Sequence, residues 1–201
     1  MFETLISKLQ EDKYLTLETT PQHEPSMHNI VEKIKKFKID SKVDGFTCTD
    51  NPLAKLKYNS LFAALKLQQE FKKPVIATMT MRDRNKIALQ SDLLGANDFD
   101  IRAILALTGD PANMSDQPNS KGVFEANSLM LLKMIKSFNY GMDFAGRPFK
   151  IEPKQIFPFA VVNAYAKNFG SLEKKMHLKI QNGAVGVITQ PVFDIENVKK
   201  L

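Results

Sequence analysis

Apolar positions along this chain follow two alternating periods. Helical spacing, with apolar residues returning every three to four positions, runs over 2–10, 27–37, 60–71, 85–96, 125–138 and 171–181, and a last helix begins near Ile195. It is clearest in Ile30, Val31, Ile34 and Phe37, and again in Leu129, Leu132, Met134 and Ile135. Between these stretches lie short apolar runs predicted as strands: 14–18, 45–49, 74–80, 103–107, 157–163 and 184–189. The run Ala103 to Leu107 is apolar throughout, as in a strand covered on both faces. Asn182-Gly183 supplies a helix C-cap. The regular alternation of strand and helix predicts an α/β domain with a mostly parallel sheet.

Two interruptions break the rhythm. Residues 143–150 carry Gly146 and Pro148 and read as a small excursion, a hairpin. Residues 113–121 are polar and rich in helix breakers, a long loop directly after a strand end, where long loops tend to carry function. About six strand–helix units are present. An open doubly wound sheet is complete with six, whereas a closed barrel needs eight. Pattern alone leaves both open.

The strand ends change the picture from architecture to chemistry. Glu18 closes the first run, Thr49 and Asp50 the second, Thr78 and Thr80 the third. Thr108 and Asp110 close the fourth, Asn163 the fifth, Thr189 and Gln190 the sixth. Singly, such residues cap the following helix. Together they predict one polar ring at the C-terminal ends of the strands, where α/β folds keep their sites. Gly109 permits close approach to the backbone and Pro111 stops the strand. Glu18 and Asp110 form a carboxylate pair suited to acid–base work or to stabilising a cation.

Composition narrows the field. With 201 residues and 43% hydrophobic content, one domain with a substantial core is expected. The net charge of +6 is carried mainly by lysines on helix faces, with no aromatic-interleaved basic stripe, so no nucleic-acid surface is predicted. The balance suits an anionic cofactor or substrate. Cys48, the single cysteine, excludes an internal disulfide, points to a reducing compartment and is expected as a buried small hydrophobe. No apolar run approaches the ~20 residues of a membrane span, and no signal peptide is visible. Gly-x-Gly-x-x-Gly and phosphate-loop motifs are absent. His23, His28 and His177 lack metal-ligand spacing, so no metal site is expected.

Five segments, in order and sensibly spaced, carry a resemblance: Leu17-Glu18-Thr19-Thr20-Pro21, Arg82-Asp83-Arg84-Asn85, Leu89-Gln90-Ser91-Asp92-Leu93-Leu94-Gly95-Ala96, Leu107-Thr108-Gly109-Asp110-Pro111 and Ile188-Thr189-Gln190-Pro191-Val192-Phe193-Asp194. Over nearly the whole chain the sequence resembles the methylenetetrahydrofolate reductase family, in the bacterial branch with the Arg-Asp-Arg-Asn loop. The resemblance implies a TIM (β/α)8 barrel, which resolves the sheet-or-barrel alternative, with residues 1–201 forming a single barrel domain that lacks its last two units. It implies a cytoplasmic FAD enzyme of one-carbon and methionine metabolism. Such an enzyme reduces 5,10-methylenetetrahydrofolate to 5-methyltetrahydrofolate, with NAD(P)H or a ferredoxin-type donor supplying electrons. Glu18 matches the general acid that opens the imidazolidine ring. Asp110 matches the aspartate beside flavin and pterin, which stabilises the iminium cation. Gln190 matches the glutamine that contacts folate and the nicotinamide donor. Thr49, Thr108, Gly109, Ala126 and Lys179 fall at FAD-contact positions, and Lys179 suits the diphosphate.

The chain departs from the family pattern in three places. Thr78 stands where a histidine is frequent. Asn163 is followed by Ala164 rather than proline. The last two strands are missing, and Leu201 falls inside a predicted helix, so an artificial or incomplete end is expected. Two open sheet edges predict association into a homo-oligomer. They also motivate a competing reading, a truncated module that binds flavin, folate or a partner without turnover.

Overall fold

A computed structural model describes residues 2–11, 13–166 and 168–199. Its six strands are β1 (Thr16–Thr19), β2 (Gly45–Cys48), β3 (Val75–Thr80), β4 (Ala103–Leu107), β5 (Phe157–Val162) and β6 (Gly186–Thr189). All neighbouring pairs are parallel, and the order across the sheet is β1-β2-β3-β4-β5-β6. A doubly wound sheet must reverse its order at a switch point. This one never does, so each crossover turns the same way and the sheet curls into a partial barrel. Among the described residues β1 and β6 are its two edges.

Among the described residues seven α-helices accompany the strands: α1 (Phe2–Glu11), α2 (His28–Lys36), α3 (Ser60–Phe71), α4 (Lys86–Asp98), α5 (Ser128–Asn139), α6 (Phe169–Gln181) and α7 (Ile195–Lys199). Strand residues alternate between two cores, as the two-residue period of a strand requires. In β3, Val75, Ala77 and Met79 face outward into the larger core, with Val31 and Ile34 of α2, Leu67 of α3, Leu93 of α4 and Leu131 of α5. Ile76 faces the other way. It joins Ala103, Phe159, and Phe2 and Leu5 of α1 in a second, smaller core inside the curl. Thus α1 plugs the N-terminal mouth of the barrel. Phe2 and Leu5 are fully buried there, and each such burial stabilises by about 1.5–3 kcal/mol. The Arg102 guanidinium lies 5.0 Å from the Phe2 ring centroid and bonds Glu3 at 3.2 Å, pinning the plug from outside.

Local chemistry explains where the elements begin. Asn59, Asn85, Asn127 and Asn168 cap α3, α4, α5 and α6, each side chain accepting a first-turn amide. The caps thus come from asparagines within the loops, not from strand-end residues, and the strand ends are left for other work. Because Asn127 is the cap, α5 starts at Ser128, and Ala126, expected inside a helix from residue 125, lies in the preceding loop. β1 starts at Thr16 rather than Tyr14, since the Leu15 amide bonds the Asp44 carboxylate at 2.9 Å. Asn163 lies just past β5. At the end of α6, Gly183 (φ 103°) donates to the Ile180 carbonyl and Ala184 to that of Lys179, the paired bonds of a glycine C-cap. The excursion at 143–150 is a turn closed by one antiparallel bridge, Met142 to Pro148. The Asp143 carboxylate accepts the amides of Ala145 and Arg147, and these bonds, the Arg147 amide first, hold its pKa below the usual carboxylate value.

Candidate functional site

Along each central strand the inward positions change character from bottom to top. β3 runs Ile76, Thr78, Thr80. β4 runs Ala103, Leu105, Leu107 and continues to Gly109. β5 runs Phe157, Phe159, Val161. The lower positions pack on α1. The upper ones line a cavity of about 390 Å³ at the C-terminal mouth. Its polar wall is Glu18, Thr49, Asp50, Thr78, Thr80, Thr108, Gly109, Asp110, Thr189 and Gln190, and its apolar floor includes Leu105, Leu107, Val161 and Ile188. The polar ring expected from strand ends therefore forms one lining, with Asn163 as its exception. Among the described residues no cluster suited to a metal ion occurs, and His28 and His177 are exposed.

The ring divides into tied and untied members. Asp50 is 4% exposed. Its carboxylate accepts the Thr80 amide (3.0 Å), the Thr80 hydroxyl (2.9 Å) and Arg84 Nη1 (2.6 Å). Arg84 also reaches Asp92 on α4 at 2.8 Å. Burial works against the Arg84 charge, but the charge and hydrogen bonds of Asp50, with those of Asp92, outweigh it and raise its pKa. Asp50 is thus a structural anchor. Nothing in the sequence pattern assigned it a partner; the Arg-Asp-Arg-Asn segment two residues after β3 was the available signal.

Asp110 is half-buried, and its Oδ2 accepts the Leu53 amide at 2.6 Å. The expected alternative, a cap on the turn at Ala112–Met114, is not what forms: Pro111 takes the N-cap position with no side-chain bond. The β2 loop that Asp110 holds is strained. Asn51, Leu53 and Ala54 all have positive φ (44°, 56° and 57°), a conformation that costs non-glycine residues about 1–3 kcal/mol each. Gly109 (φ 97°) has no alternative residue. A Cβ there would lie 2.9 Å from Arg82 Cβ and 3.2 Å from Thr80 Cβ.

Thr78 is buried against the cavity. Thr108 accepts the Ser128 amide at 3.1 Å, joining the site to the start of α5. The Thr49 hydroxyl is buried beside the cavity and has no hydrogen-bond partner among the described residues, an unmet polar group of the kind a ligand satisfies. Glu18 and Gln190, on β1 and just past β6, face the open side. Both are exposed, and neither side chain makes a hydrogen bond among the described residues. Glu18 thus lacks the burial expected of a general acid.

A second cavity of about 450 Å³ adjoins the first, sharing Leu107, Thr108 and Val161. Asn163, Asn168, Ser171, Lys175 and Lys179 form its polar side. Lys179 donates to the Val161 carbonyl. Burial, and then the like charge of Lys175, push its pKa down, so a bound anion would relieve it. Ala126 lines neither cavity; it packs half-buried on the outer core.

Comparison with known proteins now decides the family. The model of the methylenetetrahydrofolate reductase family matches residues 3–201. The chain belongs to that family. No curated protein matches it in sequence. Among solved structures it is similar to 2,3-dimethylmalate lyase, a PEP mutase/isocitrate lyase superfamily member, with a TM-score of 0.58 and 11% identity over 98% of this chain. At that identity the likeness concerns the fold alone. The chain spans 65% of that protein's length.

Proposed function

We propose that residues 1–201 act as one barrel domain that binds FAD across the two adjoining cavities and reduces 5,10-methylenetetrahydrofolate to 5-methyltetrahydrofolate. The carrying observation is the coincidence in space of positions scattered along the sequence. Thr49, Thr78, Thr108, Gly109 and Asp110 share one cavity, and Asn163 and Lys179 share its neighbour. The residues fit the group. An orphaned hydroxyl at Thr49 faces the inner part, a glycine leaves the backbone bare at residue 109, and Lys179 with its depressed pKa awaits an anion such as a diphosphate. Ala126 packs on the outer core away from both cavities, so this reading gives it no direct contact with FAD.

FAD, once bound and first reduced by two electrons from the donor, would supply a hydride equivalent for the methylene carbon of the substrate. The chain supplies the rest. Glu18, protonated, gives its proton to the substrate nitrogen released on ring opening. The Asp110 carboxylate, on the cavity wall, would stabilise the iminium charge that ring opening creates. Gln190, with two donors and an acceptor on its amide, orients the folate and a nicotinamide donor. The proposal includes a cytoplasmic location and NAD(P)H or a ferredoxin-type protein as the donor. It also includes a homo-oligomer, which would cover the open sheet edges. No helix among the described residues is long and apolar enough to cross a membrane.

The exposure of Glu18 favours one competing reading, a module that binds flavin or folate without turnover. The absorption spectrum separates these at the first step. A yellow protein whose oxidised-flavin bands are bleached by a reductant and restored by 5,10-methylenetetrahydrofolate supports the enzyme. A flavin spectrum with no folate reduction supports the module. Colourless folded protein that ignores added FAD overturns the enzyme and leaves the module only as a folate binder, which a folate-binding titration then decides.

A further inference from the structure

The Arg-Asp-Arg-Asn segment contains a cation that the proposed chemistry does not use. Arg82 is 2% exposed, the largest of the fully buried side chains. Its Nε and Nη2 bond the Asp83 carboxylate at 2.8 and 2.6 Å, and Nη2 also donates to the Asn51 carbonyl at 3.1 Å. Its own carbonyl accepts the Val123 amide at 2.6 Å, and its Cβ is the atom that a side chain at Gly109 would strike first. One residue thus touches the β2 loop, the β3 loop, the turn that bears Asp110 and the far end of the β4 loop.

Stability alone does not ask for an arginine here. Its Nη1 is buried with no partner among the described residues, an unmet donor that costs stability, and well-packed apolar residues are usually as stabilising as buried ion pairs. The fork nonetheless holds Asn51 in its left-handed conformation. Two residues on, Leu53, also left-handed, presents its amide to Asp110. We propose that Arg82 is a positioning residue that fixes the Asp110 carboxylate, from one side through the β2 loop and from the other through its packing on Gly109. Arg82 acts through Asp110 and touches no substrate. The charges gathered round it, Asp83 first and then Asp50 and Asp110, keep it cationic. The catalytic consequence rests on the reading of Asp110 given above; the positioning itself does not.

The test is amide hydrogen exchange at Leu53 in the full chain without FAD. Asp110→Ala, which removes the acceptor, sets the exchange rate of the unheld amide. Arg82→Met should speed Leu53 exchange by about tenfold towards that limit, while amides of β3 and β4 keep their protection. Arg82→Lys keeps the charge but not the fork and should fall between. Unchanged Leu53 exchange in a folded variant overturns the proposal. So does an equal loss of protection throughout the chain, which would mark Arg82 as merely structural. Should Arg82→Met fail to fold, Arg82→Lys carries the same criterion. With FAD and folate, Arg82→Met should lower kcat about tenfold in the natural background and less than twofold beside Asp110→Asn. Additive losses would also overturn it. Absence of turnover in the natural chain would instead sink the proposed reaction and leave the exchange result standing.

Discussion

The two sides of the cavity rim are built on opposite terms. From β2 to β4 the rim is bonded to itself: Asp50 to Thr80 and Arg84, Arg84 to Asp92, Arg82 to Asp83 and Asn51, Asp110 to Leu53. At β1 and β6, Glu18, Thr189 and Gln190 stand exposed at the sheet edges. Side chains locked by their neighbours hold a bound group in one place, and catalytic constellations need that support. The open side offers freedom of access and of proton exchange. The proposed division of labour follows from this: cofactor and cation are held on the bonded side, while substrate and proton enter from the exposed one.

The largest effect should come from the exposed side and should be purely chemical. Glu18→Gln is isosteric and neutral. It should lower folate reduction by about 10²–10⁴-fold, the usual contribution of a general acid. Flavin reduction by the donor should survive, and stability should change by under about 0.5 kcal/mol. Stopped-flow measurement of both half-reactions with a thermal melt checks this. Loss of both half-reactions together would remove Glu18 from the acid role.

On the bonded side the same kind of change should strike the fold. Arg84→Met leaves the Asp50 carboxylate buried and stripped of its cation, at a cost of about 3–5 kcal/mol. Chemical denaturation measures it. A loss no greater than that of a surface substitution would show that Thr80 alone satisfies Asp50, and the contrast between the two sides would fall.

Asp110 lies at the boundary, and Asp110→Asn separates its two duties. An asparagine oxygen can still accept the Leu53 amide, so the β2 loop should stay in place. The charge is lost, and folate turnover should fall by about 10²–10³-fold, typical of removing one electrostatic stabiliser. FAD should still bind, with a raised reduction potential, because a nearby negative charge disfavours the anionic reduced flavin. Unchanged turnover and potential would reduce Asp110 to its loop contact.

The sequence made the elements and the ring of strand ends legible because both rest on local signals. Period-two and helical spacing mark β3 and α3, and polar residues end each apolar run. Those signals do not reach across the sheet. That Asp50 meets Arg84, that Arg82 reaches Asn51, and that Asp110 turns to Leu53 rather than to Ala112 are set by curvature and by strand register. Partners come together from 31 to 57 positions apart. Asparagine caps were equally hard to foresee. Four loops each hold a competing polar residue at the strand end, and only the path of the chain decides which oxygen meets the first helical turn. Ala126 shows the consequence: a one-turn error in the start of α5 moves it from helix to loop.

The smallest predicted effect probes how far the bonded side extends into the edge strand. Cys48 on β2 is fully buried, and among the described residues its side chain meets one polar group, the Thr19 hydroxyl of β1, 3.3 Å away. Burial pushes the thiol up from 9.0 to about 12, partly offset by Thr19. A folded state that keeps its proton when the unfolded chain would lose it is favoured less as pH rises, so this group's contribution to stability should be intact below about pH 9 and decline between there and pH 12. At pH 8 the thiol should therefore resist a disulfide reagent and react only as fast as the molecule opens. If β1 belongs energetically to the bonded side, labelling should follow global unfolding and accelerate with denaturant in step with it. Labelling much faster than unfolding, and insensitive to low denaturant, would mean that β1 detaches by itself. The exposed side of the site would then include the whole edge strand that carries Glu18, and the acid would be placed by whatever closes that edge rather than by β1 alone.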